Sequence, residues 1–331
     1  MKNIIRILLI TIVLGLIGTY YFITNANTDE YLAYIPNVDD GTISVFNTKN
    51  KEVQNTIKIG DEVSHGIAAT NDGEKIYTGD LNEGKVFIYD TNSKKITNTI
   101  DTGKRIHGID ITPNSKYVLL ASGDLEVNDK YNYIQIIDTK TDEIIKTIKT
   151  SSKSPAHIDF SKDSKIAYVA NVMSNDVSIV DIEKGKVTHT IEVGIMPNET
   201  EPSPDGKYLY VANVQEGTLS VVDIKSKKEI DKIKVSAGTH GIAVTSDNKY
   251  IWTTNRYDKN IAVIDASTSE IIKKIDIKGE PNHVSISPDN KYAYVTDLET
   301  GKLNIIDVES FEIVKEVKLG KEPHEIDFIK L

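Results

Sequence analysis

The stretch PNHVSISPDNKYAYVTDLETGKLNIIDVESFEIVKEVKLG, residues 281–320, decides the fold. Val284 and Ile286 alternate with polar neighbours, and Ser287-Pro288-Asp289-Asn290 then turns the chain. Three more short runs follow: YAYVT at 292–296, LNIID at 303–307 and IVKEV at 313–317. Alternating β-branched and aromatic residues make these runs strands, and the Asp, Asn, Gly and Pro between them make the turns. Four short strands in a unit repeated in tandem are the signature of a propeller blade.

The unit recurs along almost the whole chain. The Asp that closes the third strand stands at Asp90, Asp138, Asp181, Asp223, Asp265 and Asp307, with Asn47 in the first copy. From Asp181 onward the positions 181, 223, 265 and 307 are 42 apart. The second strand recurs as Tyr34-Ile35-Pro36-Asn37, Tyr168-Val169-Ala170-Asn171, Tyr210-Val211-Ala212-Asn213, Trp252-Thr253-Thr254-Asn255 and Tyr294-Val295-Thr296-Asp297. On these tetrapeptides the chain resembles the YVTN family of β-propeller repeat proteins over about residues 31–331. That resemblance implies a fold and not an activity, because propellers host many unrelated functions.

Residues 31–60 hold three strands, six four-strand units begin near 65, 107, 157, 199, 240 and 283, and one lone strand lies at 325–329. The lone strand is expected to complete the first set. The predicted fold is therefore an all-β, seven-bladed propeller of four-stranded antiparallel blades, closed by the C-terminal strand joining the N-terminal blade. Closure removes the bare edges that an open ring would leave. The unit between Asp90 and Asp138 is longer and carries an insertion at residues 122–132. Asp124, Glu126, Asn128 and Asp129 there could gather around calcium, but an ordinary solvated loop is the preferred reading.

Ahead of the repeats, Lys2 and Arg6 precede an apolar run from Ile7 to Ile23. A run of about 17 residues is at the short edge of what spans a bilayer, and the basic flank keeps the amino terminus cytoplasmic. Residues 1–24 read as a signal anchor, with a signal peptide cut after Ala26 and secretion as the alternative. Residues 25–30 are a linker and 31–331 the propeller, expected at the membrane on the periplasmic or extracellular side.

Composition narrows the chemistry. The 49 acidic and 39 basic residues give a net charge of −10, which argues against a nucleic-acid clamp. The absence of cysteine excludes disulfides, thiolate metal sites, a cysteine nucleophile and c-type haem attachment. No Gly-rich phosphate loop, His-Glu-x-x-His or Gly-x-Ser-x-Gly occurs.

Histidine placement is the strongest functional signal. Six of the seven histidines open a first strand: His65, His107, His157, His240, His283 and His324. His65, His107, His240 and His324 share one column with Ala156, Asn198 and Asn282. His157 and His283 share the next with Gly66, Gly108, Glu199, Gly241 and Glu325. First strands are innermost in a propeller, so these side chains should crowd one channel mouth. Deeper on the same strands lie Ala68, Asp110, Asp159, Glu201, Ala243, Ser285 and Asp327. Four buried carboxylates are costly unless they face water. Imidazoles above carboxylates describe a metal-binding funnel, for which His65, His107, His240, His324, Glu199 and Glu201 are the candidate ligands. The competing reading is that each His only hydrogen-bonds a neighbouring loop. The unit reading Asn198-Glu199-Thr200-Glu201-Pro202 breaks the pattern of the others, and its glutamates are candidate ligands or a general base.

These residues favour a monomeric, non-enzymatic binding module that takes a protein or small-molecule ligand, or a divalent transition metal, at the channel. The repeat also resembles the haem-binding propeller of dissimilatory nitrite reductase and its maturation relatives. That resemblance implies haem as cofactor, with one of the six rim histidines on the iron. Similarity to lactonase propellers implies a hydrolase using rim carboxylates and histidines.

Overall fold

The computed structural model describes residues 30–81, 83–123 and 132–331. The expected anchor at 1–24, residues 25–29 of the linker, and Asp124, Glu126, Asn128 and Asp129 lie outside the described residues. Among the described residues no helix is long and apolar enough to cross a membrane.

Each repeat folds as its pattern dictates. In the unit that begins near 281, Ser287 Oγ accepts from the Tyr292 amide at 2.9 Å and donates to Asp289 at 2.7 Å, which fixes the first turn. The Asp307 carboxylate accepts from the Ser310 amide at 2.8 Å and closes the last hairpin. Asn171 and Asn213, at the ends of second strands, donate to Ser178 and Ser220 at 2.9 and 2.8 Å. These buried asparagines knit hairpins together, the turn-capping role their chemistry favours.

Seven four-stranded antiparallel sheets result. Blade one takes its innermost strand, Asp327–Lys330, from the carboxyl end and the next, Tyr31–Asn37, from the start of the described chain. They pair from Tyr31↔Lys330 to Tyr34↔Asp327. This closing strand starts two residues later than the sequence pattern indicates. The other innermost strands are Ile67–Ala69, Gly108–Ile111, Pro155–Phe160, Pro197–Pro202, Thr239–Val244 and Pro281–Ile286, in blades two to seven. The core lies between blades. Tyr34, Ile43 and Ile329 of blade one pack with Ile67, Ile76 and Tyr89 of blade two.

Candidate functional site

The inner strands do not run regularly at the histidine end. In blade four Pro155 pairs with Asn171 and Ile158 with Val169, so one extra residue sits on the inner strand. Blades five, six and seven carry the same irregularity, between Pro197 and Glu199, Thr239 and Ile242, and Pro281 and Val284. Consecutive residues of a regular strand point to opposite faces, and a bulge re-aims them. This is how two adjacent sequence columns both reach the channel. Where glycine follows the histidine, the next inner strand comes very close. A Cβ on Gly108 would lie 2.3 Å from the Ala156 carbonyl oxygen, and one on Gly241 2.8 Å from that of Asn282.

All six rim histidines meet. His65 stacks on His324 with ring centroids 4.1 Å apart, and His65 and His107 are 4.7 Å apart, edge to face. His107 and His157 follow at 5.3 Å, His157 and His283 at 4.9 Å, His240 and His283 at 4.9 Å, and His283 and His324 at 5.5 Å. His189 stays apart on an exposed outer strand, as its position indicates. The rings form a plug and not the open rim expected. His157, His240 and His283 are at most 5% exposed, because the bulges turn them inward, and His324 is equally buried. Arg256 overlies the plug from the end of a second strand. Its guanidinium donates to the Asn282 side chain, and its Nε lies 3.8 Å from Glu280.

Carboxylates lie directly beneath. His157 Nδ1 contacts Glu325 from across the ring. Glu199 Oε2 lies 2.8 Å from His283 Nδ1, but the angle is wrong for a hydrogen bond. Glu199 Oε2 and both His283 ring nitrogens are buried with no hydrogen-bond partner among the described residues. His240 is better satisfied, with Asn198 Nδ2 at 3.0 Å from Nε2 and the Asn282 carbonyl at 3.3 Å from Nδ1.

Glu199 and Glu201 have a structural task that sequence reasoning missed. Glu199 Oε1 accepts from the Ile242 amide at 3.3 Å, and Glu201 accepts from the Val244 amide. Glu325 and Asp327 repeat this pattern on Ile67 and Ala69, the latter at 2.7 Å. In blades five and one, acidic residues two apart thus cap the edge amides of the next inner strand. The spacing of two on one strand face was the available signal. In each pair, part of the carboxylate still faces the channel.

A cavity of about 280 Å³ opens below the plug. His157, His283, Glu199 and Glu325 form its roof, and Asp110, Asp159, Glu201 and Asp327 line it further down. His65, His107, His240 and His324 do not line it.

Burial sets the protonation states. It depresses His283 to about 4, helped by Arg256 and opposed by Glu325, and His107 to about 3, with His157 and Arg105 adding to the effect. His65, His240 and His324 are also pushed well below the usual imidazole value, mainly by burial. Burial raises Glu199 to about 8, with nearby His157 pulling against it. Asp110 and Asp159 are driven well above the usual carboxylate range, first by burial and then by neighbouring carboxylates. Burial would raise Glu325 too, but His157, by charge and hydrogen bond, holds it below its ordinary value. At neutral pH His65, His107, His240, His283 and His324 are therefore neutral imidazoles, and Glu325 near them is an ionised carboxylate, donors of the kind a borderline metal ion takes.

Among the described residues two overlapping groups place one ligand atom per residue within 4.8 Å of one another: His157, His283 and Glu325, and Glu199, His240 and His283. Of the sequence-derived ligands, His240 and Glu199 fall in these groups, while His65, His107, His324 and Glu201 do not. His157 and His283 enter from the neighbouring column, and Glu325 joins them.

A family model described as a YNCE-like beta-propeller matches residues 25–330. No curated protein matches the chain. Among solved structures, Kuenenia stuttgartiensis hydrazine synthase is 19% identical with a TM-score of 0.72, covering 81% of this chain and 90% of that one. A functionally unknown protein from Desulfotomaculum acetoxidans is 15% identical with a TM-score of 0.79, covering 90% and 99%. Dihydro-heme d1 dehydrogenase NirN in complex with DHE is 15% identical with a TM-score of 0.67, covering 89% and 74%. At such identities the likeness is one of fold.

Proposed function

The chain belongs to the YNCE-like β-propeller family, and from that premise we propose that it is a binding module whose channel holds a divalent transition-metal ion. His283 is the shared ligand, completed by His157 and Glu325 or by His240 and Glu199. The observation that carries this reading is the state of His283. It is 2% exposed, and neither ring nitrogen has a hydrogen-bond partner among the described residues. Leaving a buried polar group unsatisfied costs about 1–3 kcal/mol, and coordination would supply the missing partner. The apolar run at 7–23 supports presentation of the propeller outside the cytoplasm by a membrane anchor.

A haem-binding role, drawn from the nitrite reductase resemblance, finds less support in the geometry. The stacked and edge-on rings, 4.1 to 5.5 Å apart around the plug, occupy the space a planar macrocycle would need beside a ligating histidine. The test is calorimetric titration of the metal-stripped full-length chain with Zn²⁺, Ni²⁺ and Cu²⁺. One ion should bind per chain. His283→Ala should weaken binding at least about tenfold, by analogy with losses at metal-site positions, while His189→Ala should leave it unchanged. Equal affinity in the wild type and His283→Ala, or no binding at all, would overturn the reading.

A further inference from the structure

The chamber beneath the plug has chemistry of its own. Four carboxyl side chains, Asp110, Asp159, Glu201 and Asp327, line it below the roof, and among the described residues no Lys or Arg does. Solvent reaches these four, each partly exposed, while the plug histidines His157, His240, His283 and His324 above are sealed. The chamber therefore opens on the face away from the plug. Between the acidic groups the wall is apolar, with Ile158, Ile242, Val284 and Phe328 among its residues. His283, buried and without a hydrogen-bond partner among the described residues, forms part of its roof.

A cation is the complementary ligand, because ammonium groups beside these carboxyls would supply the counter-charge that lets them ionise inside the chamber. It is not a bare ion held by the four deeper carboxylates. Among the described residues both three-ligand groups contain His283, and none is made from Asp110, Asp159, Glu201 and Asp327. No three of them bring oxygens within 4.8 Å of one another, and each of three is engaged in its own hydrogen bond. Asp159 accepts from Thr200 at 3.0 Å, Asp110 from the Ile111 amide at 2.7 Å, and Asp327 from the Ala69 amide at 2.7 Å. A cation that spans them needs charges separated by an apolar chain. The volume of about 280 Å³ is at the small end of ligand pockets, which run from roughly 300 to 1,000 Å³.

We propose that this chamber binds a linear aliphatic di- or polyamine, its ammonium groups on the Asp110, Asp159, Glu201 and Asp327 carboxylates and its methylenes on the apolar wall between them. The inference deepens the metal reading by giving the channel a second, organic ligand below the metal, but it does not require the metal to be present. Binding is by charge and shape alone, with no bond made or broken.

The test is equilibrium dialysis of the full-length chain with radiolabelled 1,4-diaminobutane and spermidine. A chelator is present, so failure of the metal reading cannot mask the result. Saturable binding of one amine per chain is expected. Butylamine, with one charge, should compete at least tenfold more weakly. Asp159→Asn and Glu201→Gln, which keep the side-chain shape and lie outside both metal groups, should each weaken amine binding at least tenfold while leaving zinc binding in place. His283→Ala should do the reverse, weakening zinc binding at least about tenfold while leaving amine binding in place. No saturable binding at millimolar amine would overturn the proposal. So would equal binding by the two carboxamide variants, which would assign the amine to the acidic outer surface, or displacement by Ca²⁺ as readily as by diamine.

Discussion

The channel should set how stability depends on pH, and Glu199→Gln isolates one contribution. Glu199 is about 8 in the folded protein against an ordinary 4.5. Below pH 4.5 it is protonated in both folded and unfolded chains and costs nothing. Between 4.5 and 8 the unfolded chain ionises it and the folded chain does not, so stability falls as pH rises, and above 8 the loss is complete. A difference of about 3.5 pH units at about 1.4 kcal/mol each gives a ceiling of roughly 5 kcal/mol. The side chain is 14% exposed beside a solvent-reached chamber, so screening brings the working figure to about 2–4 kcal/mol. Unfolding the propeller, residues 31–331, carries an entropy of roughly 0.6 kcal/mol per kelvin, from about 2.1 cal/mol/K per residue. The neutral Gln variant should therefore gain about 3–7 °C in Tm relative to wild type between pH 5 and pH 9, with chelator present. Its amide oxygen can still accept from Ile242. The acid limb has the opposite origin. His283, held near 4, contributes stability that is full above about 6.5 and is lost as pH falls through 4. Calorimetric scans at pH 5, 7 and 9 decide the matter, and parallel curves for wild type and Glu199→Gln would refute the claim that burial keeps this carboxyl protonated.

Two further variants test the scaffold. Ile329→Ala removes a side chain 7% exposed at the junction of blades one and two; it should cost about 2–4 kcal/mol, whereas Ile230→Ala, 56% exposed on an outer strand, should stay within about 0.5 kcal/mol by urea denaturation. Gly108→Ala would place a methyl 2.3 Å from the Ala156 carbonyl oxygen and should cost about 1–3 kcal/mol; an unchanged urea midpoint would mean that the inner strands are not so tightly juxtaposed.

The architecture was legible because it is written in local pattern. The 42-residue spacing of the closing Asp residues counts blades, and the unmatched strand at the carboxyl end announces closure; both depend only on period and turn chemistry. The convergence of the six histidines was also legible, since first strands are innermost. What was not legible depends on contacts across the ring. Nothing near His157 in sequence points to Glu325, 168 residues away. The bulges at Ala156-His157 and Asn282-His283 leave no mark in an alternating pattern, yet they decide that the rings turn inward and are sealed. Glu199 and Glu201 looked like a break in the repeat because their hydrogen-bond partners, the amides of Ile242 and Val244, belong to another blade.

Blade one has a consequence for biosynthesis. Tyr31–Asn37 emerges well before Asp327–Lys330, the strand it must wait for. During that interval the nascent polypeptide carries an unzipped β edge, the kind of surface that recruits foreign strands. Translation halted before the codons for Asp327–Lys330 would release an arc of blades with one side open. The burden of quality control therefore falls on Asp327–Lys330: a chain either gains this strand or is left as a template for aggregation.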